Sequence, residues 1–150
     1  MNQEENKTPA FFRFEDLRIY NKAVDFVAWL TNISTNFSTE SDQYFFQKFI
    51  DEATNAALNI AEGSARNKPL FVNQLKEAKG NIRKAVVFTT IGLRRGVITA
   101  EQEQEIRTQL MEMTKMVGAL ITSLQRNSNN NNTQRDNQFD DEFDTDNLTW

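Results

Sequence analysis

Two groups of side chains in this sequence could do chemistry. The first is Asn59, Glu62, Gly63 and Arg66. Glu62 and Arg66 are near enough in sequence for an ion pair that fixes the corner between the second and third helical segments. Asn59 falls about one turn from a helix end, where its amide can bond orphan carbonyls or reach a neighbouring helix. Gly63 reads as a left-handed helix stop. The cluster is either a structural corner or a direct ligand-binding site. The second group is the basic stripe Lys76, Lys79 and Arg83, with Lys84 beside it, Arg66 and Lys68 at one end and Arg94 and Arg95 at the other. On a helical wheel the stripe is expected about a hundred degrees from the apolar centre, on the solvent side. Such a row can neutralise phosphates in a salt-dependent, sequence-tolerant way. It is equally an ordinary solvated face, or half of a subunit ion-pair set with Glu101, Glu103 and Glu105.

Composition narrows the chemistry further. The chain has no cysteine and no histidine, which removes thiolate nucleophiles, the commonest general base and the commonest metal ligand. A Glu-x-x-His di-iron bundle is ruled out on the same ground. No catalytic constellation of Asp, Glu, Lys or Tyr stands out, so the expectation is a non-enzymatic protein with no cofactor and no metal. No apolar run approaches the roughly 20 residues that span a bilayer. The polar start, Met1 to Ala10, lacks a cationic apolar leader, so a cytoplasmic location is expected.

Four segments carry helical periodicity. In the first, Leu17, Tyr20, Ala23, Val24, Val27, Leu30 and Ile33 are expected to face inward. The second runs from about Ser41 to Glu62 and buries Phe45, Phe46, Phe49, Ile50, Ala53, Ala56, Ala57, Ile60 and Ala61. The third runs from about Pro69 to Arg95 through Phe71, Leu75, Ala78, Ile82, Ala85, Val86 and Thr89. The fourth, from about Thr99 to Leu124, uses Ile106, Leu110, Met113, Val117, Leu120 and Leu124. Thr99 and Gln102 fit a capping box, Gly96 fits a left-handed stop behind Arg94 and Arg95, and Pro69 is tolerated only in a first turn. Helices of roughly 22 to 27 residues with short connections must run antiparallel. The predicted fold is all-α, an up-down-up-down four-helix bundle. Phe45, Phe46 and Phe49 exceed one narrow stripe, leaving open whether some face a partner subunit.

The bundle is expected over residues 14–126, after a flexible arm at 1–13 and before a disordered, Asn-rich acidic tail at 127–150. From Asn127 to Trp150 there are six acids against Arg135 alone, so the net charge of -4 belongs to the tail and the other 126 residues stand near +1. Phe139, Phe143, Leu148 and Trp150 interleave with those acids. The tail is either solubilising or a short recognition segment.

Several of these residues carry a family resemblance. Phe14-Glu15-Asp16-Leu17 with Tyr20, Lys22 and Ala23, then Gln47, Ala56 to Gly63 and Arg66, then Phe71, Leu75, Ala78 and Gly80, resemble in order and spacing the four-helix-bundle proteins encoded in bacterial 23S rRNA intervening sequences. Lys84 departs from the pattern, which often has an acid there. The resemblance implies an antiparallel four-helix bundle and a ring-like homopentamer. It extends to accessory proteins of diversity-generating retroelements, which bind a reverse transcriptase and nucleic acid. The implied partners are therefore RNA, a ribonucleoprotein or a reverse transcriptase, and further copies of the chain.

Overall fold

A computed structural model describes residues 11–129. The expected tail from residue 130 onward and the first ten residues of the arm lie outside the described residues. After a 3-10 turn at Arg13–Asp16 come four helices: α1 (Arg18–Ile33), α2 (Glu40–Ser64), α3 (Lys68–Arg95) and α4 (Ala100–Asn129). Successive helices pack side by side, most extensively α2 on α3, and α4 closes against α1. This is the antiparallel four-helix bundle that the periodicity predicts, with no strand among the described residues.

Local chemistry explains where each helix starts and stops. The Thr39 hydroxyl accepts from the Asp42 amide at the head of α2, and Asn67 accepts from the Leu70 amide at the head of α3. Pro69 sits in the first turn of α3, where its missing N–H costs no bond. Gly96 ends α3 at φ 75°, a conformation that disfavours a Cβ. Thr99 and Gln102 exchange bonds reciprocally at 3.0 and 3.1 Å, forming the expected box before α4.

The core is one contiguous cluster. Phe26, Leu30, Phe46, Phe49, Ile60, Leu75, Ile106, Leu110, Met113 and Val117 are all fully or almost fully buried. Burying a side chain of this size contributes about 1.5–3 kcal/mol. Phe45, Phe46 and Phe49 all enter this core, Phe46 stacking on Phe37 at 4.4 Å and Phe45 meeting Phe88 edge-on at 5.7 Å. None of the three is a surface aromatic.

Several expectations are corrected. In α1 the buried row is Ile19, Ala23, Phe26 and Leu30, whereas Val24 is 40 % exposed and Tyr20 and Val27 are half-buried. Two apolar rows lie side by side on this helix, and the one holding Phe26 faces inward. Helix lengths spread more widely than expected: α1 has 16 residues and α4 has 30. Because α1 is short, it cannot cover the last turns of α4. Leu120 and Leu124 are consequently half-buried, while Ile121 takes the core position. The backbone of residues 127–129, expected in the tail, continues α4.

Candidate partner-binding surface

The corner between α2 and α3 is built by close approach rather than by a helix stop. α2 runs through Gly63 to Ser64 and is followed by Ala65 in a right-handed conformation. Gly63 is therefore not the expected left-handed terminator. A Cβ placed on it would lie 2.7 Å from Gln74 Cβ and 2.8 Å from Phe71 Cδ2. Only glycine lets the first turns of α3 pack this near. Glu62 and Arg66 do pair, with Arg66 Nη2 donating to Glu62 Oε1 at 2.7 Å. Both are exposed, so the pair is worth at most about 1 kcal/mol.

Asn59 reaches across the interface, one of its two expected options. Its Nδ2 donates to Asn81 Oδ1 at 2.7 Å, and Asn81 Nδ2 donates to Glu52 Oε2 at 3.1 Å. Lys84 Nζ stands 3.9 Å from the other Glu52 oxygen. A polar chain from α2 to α3 and back thus crosses the packed face, with buried Asn81 at its centre. Sequence reading missed Asn81 and Glu52. The available signal was an Asn one residue before Ile82, between Ala78 and Ala85 on the helical face.

The basic residues separate by environment. Lys79 is only 7 % exposed, which contradicts its expected place on a solvent stripe. It follows Leu75 by four and precedes Ile82 by three, so it shares their row. With α2 on one flank and α4 on the other, the buried arc of α3 is wide enough to take in Lys79 and Val72. The butyl stem of lysine tolerates this. Arg83 is half-buried. Arg95 is committed to the fold: it donates to Ser41 Oγ at 3.1 Å and Asp42 Oδ1 at 3.3 Å and lies 5.0 Å over the Phe45 ring. Arg66 and Lys84 are exposed but have acidic neighbours. Lys68, Lys76 and Arg94 are exposed and make no ion pair among the described residues.

Even so, α3 as a whole is strongly cationic, with seven Lys or Arg side chains and the single acid Glu77. The alternative of a subunit ion-pair set with Glu101, Glu103 and Glu105 concerns contacts between copies of the chain. Within the chain, Glu103 pairs with Arg107 at 3.4 Å. Among the described residues no three acidic side chains are placed to share a metal ion, and no helix is long and apolar enough to cross a membrane.

The sequence model of the 23S rRNA-intervening sequence protein family matches residues 15–119, more than half of the chain. No match to a curated protein was found. The matched span takes in the α2–α3 corner, the Asn59–Asn81–Glu52 chain and the whole cationic helix.

Proposed function

Because the chain belongs to the 23S rRNA-intervening sequence protein family, we propose that it is a non-enzymatic, oligomeric bundle that binds RNA or a ribonucleoprotein partner. The surface that binds is the outer face of α3. The observation that carries this reading is the charge of that helix: seven bases against one acid in a body whose net charge is near +1. Lys68, Lys76 and Arg94 supply the exposed phosphate contacts, with Lys84 and Arg66 beside them. Contacts of this kind are sequence-tolerant, since phosphates are alike at every nucleotide. Repetition of the helix around a homo-oligomer, a pentamer by the family resemblance, multiplies them.

The test is a salt titration of the full chain on a structured RNA, comparing the native protein with Lys68→Glu/Lys76→Glu/Arg94→Glu. Affinity should fall by roughly 0.7–0.9 log units per contact for each log unit of salt. The triple variant should bind at least about tenfold more weakly, a loss of about 1.4 kcal/mol. Equal affinity for both proteins sinks the assignment. Lys79 is left untouched because charge reversal at a buried site would disturb the fold.

A second reading is supported by exposed apolar side chains on the same helix, Val87 and Ile91. On that reading the chain is a scaffold or accessory subunit of the reverse-transcriptase-associated type, holding a protein and no nucleic acid. Partners that remain bound after nuclease digestion favour it.

A further inference from the structure

The outer α3–α4 face carries a feature that phosphate binding does not use. Val87 is 57 % exposed, Ile91 43 % and Met111 51 %. Arg107 Nη2 donates to Thr90 Oγ1 at 2.8 Å and fixes the register of the two antiparallel helices. Val87 precedes Thr90 by three residues and Met111 follows Arg107 by four, so both lie about 5 Å along the bundle on the same side of that bond. Ile91 is one turn from Val87 on the same helix. The result is an apolar patch spanning two helices, with Lys76 and Lys84 toward one end and Arg94 toward the other.

We infer that this face docks the chain's own acidic, aromatic segment, residues 136–150. Complementarity of both kinds supports that occupant. The segment holds six acids with Phe139, Phe143, Leu148 and Trp150 between them, matching a patch that is apolar at its centre and basic at its ends. The lengths also agree. α4 runs antiparallel to α3 and finishes beside its start, near Lys68. From there Val87 is 19 residues along α3, about 28 Å. Phe139 and Phe143 stand 10 and 14 residues beyond Asn129, an extended reach of about 33 and 46 Å. The segment therefore doubles back along α3, placing Phe139 and Phe143 on Val87, Ile91 and Met111. Its carboxylates then lie toward Lys76 and Arg94. Docking concerns the surface assigned above to phosphate but does not require RNA to bind there.

The chain has no cysteine, so a nitroxide on Asp141→Cys is unique, and the full-length protein can be measured without nucleic acid. Amide signals of Val87, Ile91 and Met111 should be broadened several-fold more than those of Asp25 and Ala28 on the outer face of α1. Phe139→Ser/Phe143→Ser should abolish the difference, and about 0.5 M salt should reduce it by screening. A second label at Thr145→Cys repeats the measurement without removing an acid. Broadening spread evenly over all four helices, or centred on another face, overturns the inference. So does broadening seen only between different molecules in a mixed sample, which would make the occupant a second copy.

Discussion

At the scale of single residues, the polar chain through Asn81 is the most consequential detail. Asn81 is buried, accepts from Asn59 and donates to Glu52. Removing it strands an amide and a half-buried carboxylate at once. Asn81→Ala should therefore lower unfolding stability by about 1–3 kcal/mol, the cost of leaving buried polar groups unmade. Urea denaturation should show the lower midpoint with an unchanged slope, and an unaltered midpoint contradicts the role. Gly63 belongs to the same scale. Its two near neighbours, Gln74 and Phe71, follow it in sequence by eleven and eight residues. Nothing in a linear reading distinguishes a glycine kept for closeness from one that stops a helix, because both precede a polar turn. The surrounding motif was legible; the physical reason for its glycine was not.

At the scale of elements, the boundaries were largely written in side chains. Thr99, Gln102, Gly96 and Pro69 each mark a terminus by a mechanism that acts within a few residues, so local sequence suffices to find them. Thr99→Ala removes the hydroxyl that accepts from the Gln102 amide. It should destabilise the protein by about 1 kcal/mol. Thr99→Ser should retain most of that stability in thermal melts, and equal melting of the Ala and Ser variants would argue against the box. Which face turns inward depends on neighbours that are distant in sequence. α1 has two adjacent apolar rows, and only its partners select the row of Ile19, Ala23, Phe26 and Leu30. Lys79 illustrates the same limit: a wheel drawn for α3 alone shows the apolar centre, whereas burial by both α2 and α4 sets the width.

At the scale of the whole molecule, packing is uneven. α2 and α3 are 25 and 28 residues long and share the most extensive interface, including the aromatic cluster and the polar chain. α1 has 16 residues and four buried side chains. Opening α1 exposes less apolar surface than separating α2 from α3, so its amides should exchange through a partial opening of lower free energy. Native-state hydrogen exchange should show Ala23 and Phe26 less protected than Ala56 and Ile82. Equal protection would mean that the bundle opens only as a unit. The candidate binding surface spreads over this larger scale, and for that reason the sequence exposed only part of it. Charge on α3 was visible, but the grouping of Val87 and Ile91 with Met111 arises only once α4 lies alongside.

The even number of antiparallel rods described above also fixes a polarity. Arg13 and Asn129 fall at one pole together with the turn at 65–67, while the connections at 34–39 and 96–99 occupy the other. A tether or reporter joined at either position therefore grips the same pole. Proteins anchored that way would stand like bristles, with the opposite pole facing the bulk solution.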